Sequence, residues 1–229
     1  MTAAPSGPTE AVTLPRLACF DLDNTLIDRD ASFVAWAEWW VEREGLGADA
    51  VEWLLAHDEN GFRPRPELFA GARDEFGLTA FVDAMVDAYD REHPLFTWAE
   101  PSVLDGLSSL RTAGWRVAVV TNGGTVQQGI KLEHTGIGAA VDYSCVSESV
   151  GVRKPDPRIF KIAASQTGAT LDGGWMVGDH PAYDIAGGIA AGLSTIRIGN
   201  HHPSAATPNR TPTHHFDSIL EAFPVILTS

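Results

Sequence analysis

The sequence predicts an α/β fold in which a parallel sheet has helices on both faces and a helical bundle is inserted after the first strand. Short apolar segments alternate with helical patterns from residue 102 onward, as is typical of parallel strands joined by helices. The stretch between the first two strands has helical periodicity only. Polar residues follow most of the strands, where ligands bind in open α/β sheets.

Five segments are apolar and rich in residues that favour strands. They are residues 16–20, 115–121, 143–147, 175–178 and 193–198. Helical patterns alternate with the last four strands, at residues 102–112, 125–134, 157–167 and 182–191. Near the C-terminus, Phe216, Ile219, Leu220 and Phe223 have helical spacing and predict a last helix.

Between the first and second strands, four apolar stripes with helical spacing predict four helices. The stripes are Phe33, Trp36, Ala37, Trp40 and Val41; Val51, Leu54 and Leu55; Leu68, Phe69, Ala72 and Phe76; and Phe81, Val82, Met85, Val86 and Tyr89. We therefore expect residues 30–96 to form a helical domain, and residues 16–29 and 97–229 to form the α/β core domain. Residues 1–15 are expected to be a flexible leader.

Composition limits the classes of partner. The chain has 229 residues, a net charge of −14 and a pI near 4.8, without the basic cluster that a nucleic-acid partner requires. No apolar stretch approaches the length of a membrane span, and the N-terminus lacks a secretory signal. Cys19 and Cys145 are expected to be reduced core thiols of a cytoplasmic protein. Because the protein is acidic, any phosphate site must be locally positive.

The polar residues that follow the strands are predicted to meet at one edge of the sheet, because the strands are predicted to be parallel. They are Asp21, Asp23 and Thr25 after the first strand; Thr121, Asn122 and Gly123 at the second; Lys154 soon after the third; and Asp179 and Asp184 after the fourth.

Four motifs in this order resemble those of the haloacid dehalogenase-like hydrolase superfamily: "FDLDNTL", "VVTNGG", "KPDP" and "VGDHPAYD". The resemblance covers nearly the whole chain beyond Leu17 and implies a Rossmann-like core with a helical cap inserted between the first and second motifs. Asn24 is a departure, since many relatives have glycine there. Asparagine tolerates unusual backbone angles, so we expect no loss of function.

The first motif predicts covalent catalysis. Asp21 is the candidate nucleophile, which would attack phosphorus to give an aspartyl phosphate. Asp23 would protonate the leaving oxygen and later take a proton from water. For this role it must start protonated, and we expect the neighbouring carboxylate to raise its pKa. In isolation, the two acids are also compatible with an acidic turn after a strand.

A Mg²⁺ site is implied by the resemblance, with Asp21, the backbone carbonyl of Asp23 and Asp179 as ligands. Oxygen ligands and a phosphate substrate suit this ion. Asp184 is expected to support the site by holding waters or ligands in place. Without this context, the fourth motif is equally typical of a turn with a helix N-cap.

Phosphate binding is assigned to Thr121, through its hydroxyl, and to Asn122 and Gly123, through their backbone N–H groups. Lys154 would supply the local positive charge and stabilise the transferring phosphoryl group. Taken alone, "TNGG" is as typical of a plain strand-to-helix turn, and a single lysine is usually a surface residue.

Several other features have simpler interpretations. The pairs His201–His202 and His214–His215 resemble metal ligands, but neighbouring side chains diverge. His180 and Tyr183 either line the pocket or face solvent. Trp39 falls off its helical stripe, so it faces the substrate, packs against another helix or stays half exposed.

The sequence thus predicts a Mg²⁺-dependent phosphatase acting on a small phosphorylated metabolite, such as a sugar phosphate, phosphoglycolate or a nucleoside monophosphate. Three alternatives stay open at this stage. A haloacid dehalogenase would need neither metal nor the second acid, whereas a sugar phosphomutase would share every core residue. A non-catalytic binding protein would have lost a catalytic residue, and none is missing from the motifs.

Overall fold

The computed structural model describes residues 13–200 and 211–229 of the chain. Most of the predicted leader lies outside the described residues, as do His201 and His202.

A six-stranded parallel sheet forms the centre of the molecule, which confirms the predicted fold class. Its strands are β1 (Arg16–Phe20), β2 (Arg116–Thr121), β3 (Tyr143–Val146), β4 (Thr170–Gly178), β5 (Ser194–Ile198) and β6 (His214–Phe216). Their spatial order is β3-β2-β1-β4-β5-β6. The central pair, β1 and β4, therefore brings the first and fourth motifs side by side.

Between β1 and β2 the chain forms four helices that we call the helical insert. They are α1 (Arg29–Glu44), α2 (Asp49–His57), α3 (Arg65–Phe76) and α4 (Val82–Glu92). Short 3₁₀ turns follow α2 at Glu59–Gly61 and α4 at His93–Phe96. Asp28 caps α1 by accepting a hydrogen bond from the Ala31 N–H at 2.8 Å, as expected for a helix-start residue.

Seven further helices accompany the sheet in the described part of the chain. They are α5 (Pro101–Thr112), α6 (Thr125–His134), α7 (Ile137–Ala140), α8 (Ser147–Val150), α9 (Arg158–Thr167), α10 (Ala186–Ala190) and α11 (Ala222–Leu227). The helix predicted at residues 182–191 is instead a π-helical turn, Pro181–Ile185, followed by the short α10. The last predicted helix also starts late, because Phe216 lies in β6, the edge strand that the sequence did not predict.

The helical insert has a hydrophobic core of its own. Aromatic side chains dominate it: Trp36 stacks against Phe33 with ring centroids 5.5 Å apart, and packs edge-on against Tyr89 at 4.7 Å. Two other apolar clusters cover the two faces of the sheet. Two residues of the predicted stripes are exposed: Phe81, which precedes α4, at 83%, and Leu55 of α2 at 40%.

In the described ranges, 13–200 and 211–229, no helix is both long and apolar enough to cross a membrane.

Candidate active site

A cavity of about 730 Å³ lies between the carboxyl edge of the sheet and the helical insert. Its lining includes the following candidate residues of all four motifs: Asp21, Asp23, Thr121, Asn122, Gly123, Lys154, Asp179 and Asp184. The insert supplies the opposite wall, which includes Arg65 and Tyr89. The parallel topology therefore brings together the residues that the sequence analysis placed after separate strands.

The base of the cavity is built around Lys154. Its ammonium nitrogen lies 2.5 Å from Asp21 Oδ1 and 2.7 Å from Asp184 Oδ1, and the side chain is almost fully buried. Asn122 holds the lysine backbone from both sides: Lys154 N–H donates to Asn122 Oδ1 at 2.9 Å, and Asn122 Nδ2 donates to the Lys154 carbonyl at 3.0 Å. The loop that carries the lysine is therefore fixed to the end of β2.

Three buried carboxylates converge beside this lysine. Asp21, Asp179 and Asp184 each offer an oxygen atom within 4.8 Å of the others. Asp184 reaches this position because residue 178 is glycine; a Cβ there would lie 2.4 Å from the Asp184 Cγ. Buried acids at such separations repel one another unless a cation lies among them, and an all-oxygen ligand set suits Mg²⁺. The donor set therefore fits the predicted ion, and it places Asp184 beside the other two acids.

Burial and the neighbouring charges shift the pKa values of both Asp21 and Lys154. Burial raises the pKa of Asp21 well above its usual value, the ammonium of Lys154 opposes the rise, and the two neighbouring acids add to it. Burial alone would lower the pKa of Lys154, but Asp184 and Asp21 hold it above its usual value. Lys154 is therefore charged at neutral pH and places a positive charge at the base of the cavity.

The neighbours of Asp23 and the direction of its pKa shift differ from the sequence-based prediction. Its neighbour is Lys131 of α6, whose Nζ lies 2.6 Å from Asp23 Oδ1. Gln128 Nε2 donates to the other oxygen at 3.0 Å. Burial raises the pKa of Asp23, but Lys131 and the hydrogen bonds outweigh it, so the net shift is downward. The prediction that a second carboxylate raises the pKa of Asp23 is therefore wrong, because the fold places an ammonium group there.

Thr121 is buried at the end of β2, and its hydroxyl oxygen accepts a hydrogen bond from Gln128 Nε2 at 2.7 Å. The Gly123 N–H donates to Ser147 Oγ at 3.1 Å. A Cβ on Gly123 would lie 2.8 Å from the Gln128 side chain, so this position also requires glycine. Thr121 and Gly123 thus line the cavity, but each already has a hydrogen-bond partner within the protein.

The insert contributes a buried cluster of charges that sequence reasoning missed. Asp58, in the turn after α2, accepts from Arg29 Nη2 at 2.7 Å and from Arg65 Nη1 at 2.6 Å. It also accepts from the Gly61 N–H at 2.8 Å. Asn24 has a left-handed backbone, with φ of 56°, and its side chain accepts from the Arg29 N–H at 3.0 Å. The cluster fixes the insert against the end of the first motif.

At the mouth of the cavity, aromatic rings join the insert to the sheet. Phe62 lies 5.4 Å from the ring of His180 and 5.9 Å from that of Tyr183, and the last two rings stack at 4.1 Å. His180 Nδ1 accepts hydrogen bonds from the N–H groups of Ala182 and Tyr183, both at 3.1 Å. His180 and Tyr183 therefore line the pocket, which was one of their two interpretations.

The remaining candidates lie elsewhere. Trp39 is half exposed and packs 5.5 Å from the ring of Phe96, outside the cavity lining. His214 and His215 occupy β6, where successive side chains point to opposite faces. His215 Nε2 is 2.9 Å from the Gly199 carbonyl, whereas His214 lies 5.7 Å from the ring of Phe216. The two side chains therefore have separate surroundings and do not form a paired metal site.

Lys131 and Gln128 are two further residues at the site that the sequence analysis did not identify. Their spacing on α6, three residues apart, places them on one face of the helix. This shared face is the one signal available in the sequence. It does not reveal Asp23 as the partner, which is 108 residues away from Lys131.

Comparison with known proteins gives a family match over most of the chain. A family model described as haloacid dehalogenase-like hydrolase matches residues 15–192. Pyrimidine 5'-nucleotidase YjjG of Escherichia coli K12 is 34% identical over 147 residues, which cover 62% of this chain and 61% of that protein. Ribulose-1,5-bisphosphate 5-phosphatase of Halopiger xanaduensis is 30% identical over 231 residues, covering 88% of this chain and 95% of that protein.

Solved structures share the fold at lower identity. YfnB from Bacillus subtilis, a HAD-hydrolase by its name and bound to magnesium, is 22% identical with a TM-score of 0.73, covering 93% of this chain and 99% of that one. A 2-haloacid dehalogenase from Pseudomonas syringae is 23% identical with a TM-score of 0.62, covering 94% of this chain and 99% of that one.

Proposed function

The chain belongs to the haloacid dehalogenase-like hydrolase family, and on this premise we propose that it is a Mg²⁺-dependent phosphatase. It would hydrolyse a small phosphorylated metabolite through an aspartyl phosphate on Asp21. The family match confirms the predicted resemblance and the predicted enzyme class, a hydrolase. The curated relatives include a nucleotidase and several phosphatases, which supports a phosphate ester as the substrate.

One observation carries the proposal: three buried carboxylates and a buried lysine meet at the carboxyl edge of the sheet. Asp21, Asp179 and Asp184 offer oxygens within 4.8 Å of one another, and Lys154 contacts two of these acids. A carboxylate nucleophile, a cation site and a fixed ammonium are the parts that phosphoryl transfer to an aspartate requires.

In the first step, the Asp21 oxygen that does not accept from Lys154 attacks phosphorus. The bond between phosphorus and the ester oxygen breaks, its electron pair goes to that oxygen, and the oxygen takes a proton from Asp23. Lys154 and the Thr121 hydroxyl stabilise the charge on the transferring group. Because Asp23 has a lowered pKa without substrate, it must gain its proton when the phosphate dianion arrives, since a nearby anion raises a carboxyl pKa.

In the second step, water attacks the phosphorus of the aspartyl phosphate and gives its proton to Asp23, which releases inorganic phosphate and restores Asp21. Asp21, Asp179 and the backbone carbonyl of Asp23 would hold Mg²⁺, with Asp184 beside them. When bound, the ion would neutralise negative charge on the nucleophile and the phosphoryl oxygens.

The helical insert, residues 30–96, would act as the cap. It would exclude water from the cavity and select the alcohol part of the phosphate ester, which is the leaving group. Support comes from its position as one wall of the cavity, through Arg65 and Tyr89. A cytoplasmic location is also proposed, supported by two free, buried cysteines.

Two rivals from the same family differ in their chemistry. A dehalogenase attacks carbon and needs no cation, which leaves Asp23, at the cavity lining, and the buried Asp179 without a role. A sugar phosphomutase uses the same core, so it is separated by product: isomerised sugar phosphate instead of free phosphate.

The experiment measures phosphate release from 4-nitrophenyl phosphate, with and without Mg²⁺, by the parent and by Asp21→Asn. We expect Mg²⁺-dependent release by the parent and a loss on the order of 10⁴-fold in the variant, because the covalent step has no nucleophile. Equal activity after chelation with EDTA, or an active variant, would reject the mechanism. A panel of sugar phosphates, phosphoglycolate and nucleoside monophosphates then identifies the substrate.

A further inference from the structure

Helix α6 directs two buried polar side chains at one carboxylate. Lys131 is 2% exposed and Gln128 is 1% exposed. The Lys131 Nζ lies 2.6 Å from Asp23 Oδ1, and Gln128 Nε2 lies 3.0 Å from Asp23 Oδ2. Both oxygens of Asp23 therefore accept from α6, and the rotation of the carboxyl group is restricted.

The three side chains differ in how far they are exposed to the cavity. Asp23 and Lys131 both reach the cavity lining, but the Asp23 side chain is 27% exposed and the Lys131 side chain only 2%. Gln128 Nε2 also donates to Thr121 Oγ1 at 2.7 Å, which links Asp23 to the candidate phosphate ligand at the end of β2. The contacts thus hold the carboxyl group at the cavity wall, at a fixed place relative to Thr121.

Stability of the fold alone does not explain this buried ion pair. Burying an ammonium group costs several kcal/mol unless it is paired, and an apolar pair of similar volume is often as stable. In the described part of the chain, Asp23 is the one carboxylate that pairs with Lys131. Asp23 in turn is the residue to which the proposed function assigns proton transfer.

We propose that Lys131 is a positioning residue: with Gln128, it orients the carboxyl group of Asp23 for proton exchange with the leaving oxygen and then with water. The inference rests on the proposed function. It also predicts a chemical signature, because the need for a positioned acid depends on the leaving group. A nitrophenolate leaves readily as an anion, whereas an alkoxide must be protonated.

The test measures kcat/KM for each of two substrates. The value of kcat/KM depends on the steps up to formation of the aspartyl phosphate. The substrates are 4-nitrophenyl phosphate and the alkyl phosphate that the parent hydrolyses fastest. For Lys131→Met we expect a loss on the order of 100-fold with the alkyl phosphate and of about 5-fold or less with the aryl phosphate. Lys161→Met, at an exposed position of α9, is the matched control and should change neither ratio.

A double variant tests whether Lys131 acts through Asp23. If it does, Lys131→Met added to Asp23→Asn should lower kcat/KM no further than Asp23→Asn alone, within about two-fold. Lys131→Arg, which keeps the charge and donors, should restore part of the alkyl phosphate activity. If the methionine variant fails to fold by circular dichroism, Lys131→Gln replaces it with the same expectation.

Equal losses with both substrates, or additive losses in the double variant, would overturn the inference and leave the proposed function intact. An active Asp21→Asn would instead reject the proposed function itself.

Discussion

His93 is a buried imidazole with an unusual environment. It lies in the 3₁₀ turn after α4, with its ring 4.9 Å from that of Tyr89. Neither ring nitrogen has a hydrogen-bond partner among the described residues. Burial lowers its pKa well below the usual value, and the cations Lys131, Arg29 and Arg65 add to this shift. The residue is therefore neutral in the folded protein.

We expect His93→Phe to raise the free energy of unfolding by about 1 kcal/mol at pH 7.5, because two unpartnered polar atoms are removed from the core. Below a pH of about 6.5, the unfolded parent binds a proton that the folded parent does not, so its stability falls by up to about 1.4 kcal/mol per pH unit. The phenylalanine variant lacks this contribution. Urea unfolding at pH 7.5 and 5.5 measures both effects, with His134→Gln at an exposed position as control. An unchanged pH dependence in His93→Phe would contradict the prediction.

At single residues, sequence reasoning worked where a motif fixes the chemistry and failed where only the fold supplies the partner. Asp21 and Asp179 were placed at the site because each directly follows the end of a strand, and Lys154 because it lies in the motif after the third strand. The sign of the Asp23 pKa shift was wrong, because Lys131 comes from a helix whose partner is set by tertiary packing.

Among the elements, the turn between α2 and α3 is fixed unusually firmly. Three successive residues, Glu59, Asn60 and Gly61, have positive φ angles of 54°, 53° and 86°, and two of them are not glycine. At the two residues that are not glycine, such angles cost about 1 kcal/mol or more each and persist only where the surroundings impose them. Asp58 imposes them here, because its carboxylate binds Arg29, Arg65 and the Gly61 N–H.

Asp58→Asn should therefore lower the free energy of unfolding by about 3 kcal/mol, since it leaves two guanidinium groups with a weaker partner in a buried site. The Asp58 side chain is 4% exposed. Asp74→Asn is the matched control, because Asp74 pairs with Arg73 at a side-chain exposure of 73% and should cost no more than about 0.5 kcal/mol. Denaturant unfolding of both variants tests this, and equal losses would contradict it.

The cluster of Asp58, Arg29 and Arg65 is expected to stabilise the fold less in acid than at neutral pH. Burial raises the pKa of Asp58, but the hydrogen bonds and charges of Arg29 and Arg65 outweigh it and hold the pKa below its usual value. Its contribution to stability is thus present at neutral pH and is lost as the pH falls through the lowered pKa of the folded state.

Element boundaries show what periodicity alone cannot supply. The helix α6 was predicted with its observed ends, Thr125–His134, and Gly124 directly precedes it. The π-helical turn at Pro181–Ile185 was not, since it depends on the His180 ring accepting from two backbone N–H groups. The strand β6 was missed because three residues with two histidines have no strand signal of their own; pairing with β5 determines it.

At the scale of the whole molecule, the carboxylates of the site join parts of the chain that are far apart. Asp21 follows β1, Asp179 follows β4 and Asp184 lies in the π-helical turn. A cation bound by them would stabilise the folded chain, because the unfolded chain cannot bring these acids together. Under the proposed function, that cation is Mg²⁺.

We expect Mg²⁺ at about ten times its dissociation constant to stabilise the parent by about 1.4 kcal/mol, which is a rise in melting temperature of roughly 3–5 °C for a chain of this size. Asp179→Asn should reduce this rise, whereas Asp172→Asn, at the exposed start of β4, should retain it. Thermal melts with and without Mg²⁺ give the measurement. The same rise in both variants would place the ion elsewhere.

The overall architecture was the most predictable level. Alternating strands and helices, together with the strand-free stretch before β2, were sufficient for the sheet and the helical insert. The contact between Phe62 and the rings of His180 and Tyr183 was not predictable, because it depends on how the insert lies over the sheet.

The aromatic core of the insert has an evolutionary consequence. Phe33 near its start and His93 near its end lie 6.2 Å apart, so the polypeptide leaves the sheet and returns to it at nearly one place. Mutations that reshape the insert can therefore accumulate in a single contiguous gene segment while the strands that hold the acids are inherited unaltered. Under the proposed function, a lineage built in this way can change the alcohol that it selects and keep its chemistry.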